Sequence, residues 1–454
     1  MRVEGRVSDG RDARDSHDLA FLGRGGARPQ PAEGRRRAQA RAALGYDVWG
    51  VLRSAGIELD AILEAPLGVC TKGLPDTLAD VPLGRIGELG LSLWAGDLLL
   101  PALTLRADRL QHNLVRMMRF CAEHDVALAP HGKTTMAPQL WADQLAAGAW
   151  GITAATVGQA QVMARFGVRR IVIANEVLDR RAINWLADAD AEVSCLVDSV
   201  AGVEALEAAG AVRPVKVLVE LGVAERRGGV RDPDAALRVL EAAARASHVE
   251  PVGVECFEGV TDARPLVEEL LDRVSALAVA GRERGLLPEP VMLSAGGSIF
   301  FDAAAGLRRI SDHVVLRSGC YLAHDHGIYE AASPLGRTRG ATDPLLPALE
   351  LWADVLSCPE PGLAIVGAGR RDVPYDAGLP TVERAYRGGA PLPLERAVVT
   401  ELNDQHAFVS AAGLEVGDLL CLGISHPCGA FDRWRTLLEV DEHYTVTRAI
   451  RTFF

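Results

Sequence analysis

The sequence predicts an α/β fold in which a (β/α)8 barrel of the TIM type precedes a C-terminal β-domain. From about residue 100, eight apolar runs of strand length alternate with segments of helical period, which is typical of a parallel sheet closed into a barrel. After about residue 335 the helical period disappears, and short strand-like runs separated by turns replace it. An open, doubly wound parallel sheet is the alternative for the first of these two regions.

The starts of the apolar runs locate the strands of the predicted barrel. These starts lie near Val126, Trp150, Arg170, Glu192, Val215, Pro251, Val291 and Val314. Apolar residues at helical spacing, including Leu110, Leu114 and Met117, predict a helix before the first strand. In the C-terminal region the strand-like runs occupy residues 349–352, 362–366, 414–418 and 419–424.

Changes of composition divide the chain into four predicted segments. Residues 1–45 are rich in Gly, Arg and Asp and have almost no aliphatic periodicity, so they are predicted to form a disordered arm. Residues 46–97 form an N-terminal extension, residues 98–334 the barrel and residues 335–454 the β-domain.

Composition and charge exclude several classes of protein. Of the 454 residues, 49% are hydrophobic and 24% are charged, which is ordinary for a globular protein. The 60 acidic residues outnumber the 48 basic ones and give a net charge of −12. A field of that sign repels a nucleic-acid backbone, so nucleic acid is not expected as a partner.

Cysteine usage and apolar stretches indicate a cytoplasmic protein without a membrane segment. The eight cysteines are scattered and form no Cys-x-x-Cys pair, as expected for reduced thiols. The apolar run at residues 19–23 is too short for a secretory signal. The uncharged stretch at residues 144–164 is rich in Ala, Gly and Thr, so it is interpreted as buried helix and strand rather than a membrane span.

Lys133 lies where barrel enzymes carry reactive groups. It belongs to the run Pro130-His131-Gly132-Lys133-Thr134, directly after the first predicted strand, and the C-terminal ends of barrel strands surround the active site. A partly desolvated amine beside the imidazole of His131 is suited to form a Schiff base with an aldehyde. Taken alone, a lysine on a barrel rim is more often a solvated charge, so this hypothesis needs independent support.

Two glycine-containing turns supply that support. Residues 295–298 read Ala-Gly-Gly-Ser and residues 318–321 read Ser-Gly-Cys-Tyr, after the last two predicted strands of the barrel. Small residues in such turns let backbone N–H groups approach an anion closely, and barrels often bind phosphate at this position. Together with the lysine, the turns favour an aldehyde cofactor that carries a phosphate.

Several motifs, taken in order, give residues 98–454 a specific resemblance to a known family. They include residues 100–103 (Leu-Pro-Ala-Leu), 130–134, 155–160, 220–222, 227–230, 253–259, 294–298 and 319–321. The chain resembles the fold-type III pyridoxal-phosphate enzymes, specifically the D-serine dehydratase and D-threonine aldolase branch. Alanine racemase is a more distant relative of this branch.

The resemblance implies a set of cofactor contacts. Lys133 would carry pyridoxal phosphate covalently and act as the catalytic amine. The other implied cofactor-binding residues are His131, Thr156, Arg227, Gly296, Gly297, Ser298, Gly319 and Tyr321. The chain departs from the family pattern at Phe257, where relatives often have Tyr, and at Ala129 and Thr135, where they commonly have Arg and His.

The run Ser425-His426-Pro427-Cys428 suggests a metal site. On an extended segment, residues two apart face the same side, so His426 and Cys428 would bind one metal ion together. Nitrogen and soft sulfur ligands favour Zn²⁺, and two protein ligands leave open positions, as a catalytic zinc requires. A bare His-x-Cys is more often a turn with a buried thiol. The resemblance reverses this preference, because D-serine dehydratases bind zinc through His-x-Cys here, whereas the aldolases have His-x-Asp.

The remaining histidines are weaker candidates. His406 matches a histidine-bearing segment of the family's β-domain, where it would lie near the metal, but a surface loop explains it equally well. His324, Asp325 and His326 look like a metal cluster by composition. Adjacent side chains diverge in direction, so these three are predicted to shape the pocket entrance instead.

The predicted function is a PLP- and zinc-dependent dehydratase that converts D-serine or a related β-hydroxy D-amino acid to a 2-oxo acid and ammonia. The alternatives are a metal-dependent D-threonine aldolase, an amino-acid racemase that uses a tyrosine such as Tyr375 or Tyr386, and a PLP carrier protein. Carriers generally lack a β-domain. The resemblance also implies a head-to-tail homodimer, with the active site between the barrel of one subunit and the β-domain of the other.

Overall fold

The computed structural model describes residues 56–454. The predicted disordered arm at residues 1–45 and the start of the predicted extension at residues 46–55 lie outside the described residues. From residue 56 onwards, no helix combines the length and the apolar character that crossing a membrane requires.

Strand β1 (Ala102–Arg106) is followed by eight strands that form one parallel sheet. They are β2 (Ala127–Leu128), β3 (Ile152–Ala154), β4 (Arg170–Glu176), β5 (Glu192–Val197), β6 (Val215–Leu221), β7 (Val249–Cys256), β8 (Met292–Ala295) and β9 (His313–Leu316). Their order is β2-β9-β8-β7-β6-β5-β4-β3. The two ends of this order meet, because the N–H of Trp150 donates to Leu128 O at 2.7 Å and the N–H of Thr153 donates to Pro130 O at 2.9 Å. The predicted TIM-type barrel is therefore confirmed.

Helices connect most of the barrel strands. In chain order the α-helices are α1 (Asp60–Glu64), α2 (Ala107–His124), α3 (Pro138–Ala146), α4 (Val157–Arg165), α5 (Arg180–Asp188), α6 (Val200–Ala209), α7 (Pro233–Arg245), α8 (Arg264–Glu283), α9 (Phe301–Ala305), α10 (Ile328–Ala332) and α11 (Pro427–Phe431). Helix α2 buries Leu110, Leu114 and Met117, as their spacing predicts. The uncharged stretch at residues 144–164 forms the end of α3, strand β3 and most of α4.

The interior of the barrel holds its own small apolar cluster. Its buried members are Ala129, Leu196, Leu218, Met292 and Val315. Four of them lie on strands β5, β6, β8 and β9, and Ala129 directly follows β2. They fill the centre of the barrel as a packed core rather than a pore. This leaves the C-terminal rim as the end where polar side chains collect.

The C-terminal strands form a second, mostly antiparallel sheet. They are β10 (Leu349–Glu360), β11 (Leu363–Val366), β12 (Thr381–Arg387), β13 (Ala390–Leu392), β14 (Ala397–Leu402), β15 (Ala407–Ala411), β16 (Leu419–Gly423), β17 (Thr436–Val440) and β18 (Val446–Arg451). Six of them close into a ring in the order β10-β11-β15-β14-β12-β16, with β16 returning to β10. The predicted C-terminal β-domain is confirmed.

One predicted strand of this domain is wrong. Residues 414–418 form a turn, in which the N–H of Asp418 donates to Glu415 O and the N–H of Glu415 donates to the Asp418 carboxylate. Gly417 has a φ of +89°, a backbone conformation that suits glycine and breaks a strand.

Strand β1 belongs to the β-domain, although it lies inside the predicted barrel segment 98–334. It pairs antiparallel with β10, Ala102 opposite Trp352, and parallel with β17, Thr104 opposite Leu438. The described part of the predicted extension also contacts this domain, since the N–H of Val446 donates to Leu91 O. From β1 onwards the chain therefore leaves the β-sheet, builds the barrel and returns to the same sheet.

Candidate active site

A cavity of about 520 Å³ opens at the C-terminal rim of the barrel, against the β-domain. Its walls carry the chemically active side chains of both domains. The lining residues are His131, Lys133, Thr134, Ala155, Ala174, Asn175, Glu176, Glu220, Arg227, Gly228, Phe257, Gly297, Ser298, Arg317, Gly319, Cys320, Tyr329, His426 and Cys428. Most of the predicted site residues thus meet in one place.

Lys133 lies on a rigidly packed turn. It belongs to a 3-10 segment, Gly132–Thr134, that follows strand β2. A Cβ atom on Gly132 would lie 2.6 Å from side-chain carbons of Ile152 and Met163, so only glycine allows the turn to pack this closely. Trp141 Nε1–H donates to Gly132 O at 3.3 Å. These contacts fix the backbone from which the lysine amine enters the cavity.

His131 faces the cavity as a neutral imidazole. Burial lowers its pKa well below the ordinary value, and the positive charges of Lys133 and Arg317 lower it further. Its Nδ1 atom is buried without a protein hydrogen-bond partner. Buried polar atoms are normally paired, so this nitrogen is available to a bound group.

The two glycine turns are tied together beneath the cavity. Ser318 Oγ–H bonds to the carbonyl oxygens of Gly296 and Gly297, at 2.9 and 3.0 Å. A Cβ on Gly319 would lie 2.7 Å from His131 O, so the second turn also touches the lysine-bearing strand end. Within residues 56–454, the backbone N–H groups of Ser298, Gly319 and Cys320 donate to no protein acceptor. Free N–H groups in such turns are the donors that bind a phosphate.

Two of the predicted phosphate donors are already engaged. The N–H groups of Gly296 and Gly297 donate to the carboxyl group of Glu258, at 3.1 and 2.6 Å. Glu258 is fully buried, and burial raises the pKa of its carboxyl group. These two N–H groups therefore do not act as the predicted phosphate donors, because the preceding turn of the barrel, after β7, supplies an internal acceptor.

Arg227 also lines the cavity. Its guanidinium carbon is 4.7 Å from the centre of the Phe257 ring, a distance typical of a cation–π contact. Phe257 thus keeps the aromatic wall that the resemblance implies. Behind it, the buried Arg317 forms an ion pair with Glu255 at 2.8 Å and donates to Ser294 Oγ at 2.7 Å, which holds the ends of β7, β8 and β9 together.

Three predicted cofactor contacts lie outside the cavity wall: Gly296, Thr156 and Tyr321. Thr156 caps helix α4, with its Oγ1 accepting from the N–H of Gln159 at 3.3 Å, and its side chain is exposed. Tyr321 is 2% exposed, and its hydroxyl accepts from Gln144 Nε2 at 3.1 Å. The neighbouring Ala155 and Cys320 line the cavity instead.

The predicted metal pair enters the cavity from the β-domain. Cys428 lies in helix α11, and its Sγ is 3.4 Å from Thr134 Oγ1, next to the lysine. His426 Nδ1 bonds to Asp376 Oδ2 at 2.6 Å, which fixes the orientation of the imidazole. In the described range, no group of three or more His, Cys, Asp or Glu side chains is arranged to hold a metal ion.

The charges of this pair favour a metal ligand rather than an inert thiol. Hydrogen bonds with Cys320, His426 and Thr134 hold the pKa of Cys428 well below its ordinary value, although burial opposes them. The contacts of His426 with Cys428 and Asp376 raise its pKa to about 9. The thiolate is the form of cysteine that binds metals, whereas the imidazole of His426 must lose its proton before it can bind one. Nitrogen and sulfur are the donor atoms that Zn²⁺ prefers.

The weaker histidine candidates lie away from the cavity. His406 is exposed on the turn before β15. His324 is buried and bonds to Glu330 at 3.1 Å, while the carboxyl group of Asp325 accepts from the N–H groups that begin helix α10. None of these residues, nor His326, lines the cavity. The tyrosines considered for a racemase, Tyr375 and Tyr386, do not line it either.

Sequence reasoning missed three residues of the cavity. Tyr329 follows the turn capped by Asp325, and burial raises the pKa of its hydroxyl, so it remains an O–H donor. Glu176 and Glu220 end strands β4 and β6 on the same rim. Carboxylates at the C-terminal ends of apolar barrel strands are a signal that points to the site. Glu220 lies in the family motif at residues 220–222, which by itself gives the carboxyl group no role.

The carboxyl group of Glu220, in the cavity wall, has a strongly raised pKa. Burial, followed by the nearby carboxyl groups of Glu255 and Glu176, raises its pKa to about 9. A raised pKa means that Glu220 contributes stability below its ordinary pKa of 4.5, and that this contribution is lost as the pH rises towards 9. Near neutral pH the carboxyl group is protonated in the folded chain.

The variant Glu220→Gln is expected to remove this pH dependence. Its free energy of unfolding relative to the wild type should rise by about 1.4 kcal/mol per pH unit between the two pKa values. Denaturant unfolding at about pH 5, 7 and 8 measures the difference. The control is Glu250→Gln, an exposed position on β7. Parallel pH profiles for wild type and Glu220→Gln would contradict the assignment.

Comparisons with known proteins agree with this geometry. A family model described as the alanine racemase N-terminal domain matches residues 105–322, and one described as a putative serine dehydratase domain matches residues 348–440. The D-threonine aldolase of Arthrobacter sp. is 29% identical over 345 residues, which cover 72% of this chain and 85% of that protein. The D-threo-3-hydroxyaspartate dehydratase of Delftia sp. is 28% identical over 331 residues, covering 69% and 83%.

A solved structure extends the likeness over both domains. The crystal structure of D-threonine aldolase from Filomicrobium marinum superposes with a TM-score of 0.67 at 27% identity, covering 80% of this chain and 97% of that chain. Over both domains the chain is therefore similar to the fold-type III, alanine racemase-like proteins, and its relatives include D-threonine aldolases and D-threo-3-hydroxyaspartate dehydratases.

Proposed function

We propose that this protein is a PLP- and zinc-dependent lyase that acts on β-hydroxy D-amino acids. The observation that carries the proposal is that Lys133 and the pair His426 and Cys428 line one cavity. Thr134, next to the lysine, contacts Cys428 across 294 positions of sequence. The relatives named above act, by their names, on β-hydroxy D-amino acids, which supports this substrate class.

The residues of the cavity fit pyridoxal phosphate. Lys133 supplies the amine for the aldehyde, and the free N–H groups of Ser298, Gly319 and Cys320 would hold the phosphate. The unpaired Nδ1 of His131 and the Arg227 guanidinium would contact the ring. The bound cofactor supplies an electron sink for negative charge at the substrate Cα. Lys133 Nζ is the base placed to take the proton from Cα.

The same cavity fits a zinc ion beside the cofactor. His426 and Cys428 would hold it, with Asp376 fixing the orientation of the imidazole. Two protein ligands leave positions for water and for the substrate β-oxygen. The metal would supply Lewis acidity at that oxygen, because hydroxide is a poor leaving group at neutral pH.

Dehydration is the preferred reaction. A cysteine at position 428 matches the His-x-Cys that the resemblance associates with dehydratases, rather than the His-x-Asp of the aldolases. Loss of the β-hydroxyl from D-serine followed by hydrolysis of the enamine gives pyruvate and ammonia. D-threo-3-hydroxyaspartate and D-threonine would react by the same route to the corresponding 2-oxo acids.

Aldol cleavage is the second candidate, because both reactions occur among the similar proteins. It uses the same Lys133 and metal pair but breaks the Cα–Cβ bond after the β-hydroxyl loses a proton. D-Threonine would then give glycine and acetaldehyde. The head-to-tail homodimer and the cytoplasmic location stay predictions from the sequence.

A product assay separates the two reactions. The protein loaded with PLP and zinc is incubated with D-serine, D-threonine, D-threo-3-hydroxyaspartate and their L-isomers, and ammonia, 2-oxo acid, glycine and aldehyde are measured. We expect ammonia and 2-oxo acid in equal amounts from D-isomers only. Glycine and aldehyde in excess of 2-oxo acid would overturn dehydration in favour of aldol cleavage. No product from any D-isomer would overturn the proposal as a whole.

A further inference from the structure

Two thiols lie side by side in the wall of the cavity. The Sγ atoms of Cys320 and Cys428 are 3.6 Å apart, although 108 positions separate the residues in sequence. Thr134 Oγ1 contacts both sulfurs, at 3.9 and 3.4 Å. All eight cysteines of the chain are free thiols, and in the described range this is the one pair of cysteines within hydrogen-bond distance of each other.

We propose that Cys320 and Cys428 form a site of reversible oxidative modification, in which a peroxide converts the two thiols to a disulfide. The cross-link rests on the distance between the sulfurs and on their access to the cavity. Its consequence for the enzyme rests on the proposed function, because a disulfide would withdraw Cys428 from the metal site. Oxidation would then release the metal and stop the reaction.

The chemistry balances with hydrogen peroxide as the oxidant. The sulfur of Cys428 attacks one peroxide oxygen, the S–O bond forms, the O–O bond breaks and water leaves. The sulfur of Cys320 then attacks the sulfenic acid, the S–S bond forms, the S–O bond breaks and a second water leaves. In sum, two thiols and one peroxide give one disulfide and two waters, and a dithiol reductant reverses the change.

Exposure decides which sulfur reacts first. Cys320 is 4% exposed, and its backbone is held by Gly319, which packs against His131. Cys428 is partly exposed to the cavity, in a helix of five residues at the edge of the β-domain. The peroxide therefore meets Cys428, and Cys320 lies behind it as the resolving thiol. The sulfurs must approach by about 1.5 Å to reach the S–S bond length.

The test is a peptide map of the full-length protein after mild treatment with hydrogen peroxide. The metal is first removed with a chelator, and digestion is carried out without a reductant. We expect a linked pair of peptides containing positions 320 and 428, lighter by ~2 mass units than the sum of the two thiol peptides because two hydrogens are lost. Dithiothreitol should return the separate peptides.

Variants and metal loading complete the design. Cys320→Ser and Cys320→Ala should each abolish the link and leave Cys428 open to irreversible oxidation, whereas Cys358→Ser, at an exposed cysteine, should not affect it. Protein loaded with zinc beforehand should cross-link about tenfold more slowly. Separate 320 and 428 peptides after oxidation of the metal-free protein would overturn the modification site. If the zinc-loaded protein becomes cross-linked and still contains its zinc, the cross-link stands but the metal role of Cys428 is overturned.

Discussion

Lys133→Ala is expected to abolish both the reaction and covalent binding of the cofactor. Among residues 56–454, Lys133 is the one lysine that lines the cavity, so without it that wall has no side-chain amine to hold the aldehyde. Loss of a covalent catalytic amine that also acts as base costs about 10³-fold or more in rate. Product assays with D-serine measure the rate, and absorbance of the PLP-loaded protein measures the bound aldehyde.

Borohydride reduction makes the result specific to this lysine. In the wild type we expect the reduced cofactor on the peptide that contains Lys133. The matched control is Lys216→Ala, which removes a lysine on strand β6 that forms an ion pair with Glu192 outside the cavity. Lys216→Ala should retain colour and activity. A Lys133→Ala protein that is still yellow and still fixed by borohydride would refute the assignment.

Cys428→Ala is expected to remove the metal while leaving the cofactor in place. The variant deletes the sulfur ligand but not Lys133 or the free N–H groups of the phosphate turn, which lie on the barrel. Ammonia release from D-serine should fall by about 10²- to 10³-fold, because no Lewis acid then assists departure of the β-hydroxyl. Metal analysis and absorbance of the same sample separate the two effects.

A second cysteine serves as the control for this experiment. Cys358→Ala changes an exposed thiol of the β-domain and should leave metal content and rate unchanged. Treatment of the wild type with a chelator should reproduce the rate of Cys428→Ala, and added zinc should restore the wild type alone. Full ammonia release from Cys428→Ala, or from the chelated wild type, would show that the metal role is wrong.

The sequence identifies residues whose role depends on local chemistry. Lys133 follows the first barrel strand, and the pattern of apolar runs is enough to place it at the C-terminal rim. His426 and Cys428 are recognisable because their spacing and donor atoms suit a metal. That these elements meet in one cavity depends on the packing of the 3-10 segment Gly132–Thr134 against helix α11, which a local pattern does not contain.

Other features of the site depend on contacts between distant segments. Asp376 orients His426 across 50 positions of sequence, and no local motif marks it. The Gly-Gly turn predicts a phosphate at its N–H groups, but the acceptor in the structure is the Glu258 carboxyl group, 38 positions upstream of Gly296. The sequence of strand β1 is an ordinary apolar run. Its pairing with β10 and β17 is determined by tertiary structure rather than by its own composition.

The position of strand β1 has a consequence for biosynthesis. Thr104 Oγ1–H bonds to Glu350 O across 246 positions. The whole barrel therefore lies, in sequence, between β1 and β10, which are neighbouring strands of one sheet. A nascent chain must therefore release nearly the whole barrel from the ribosome before β10 can dock beside β1. We infer that the β-domain matures last, and that a fragment beginning at residue 335 would lack an internal strand of its sheet and expose the unpaired edges of β10 and β17 to aggregation.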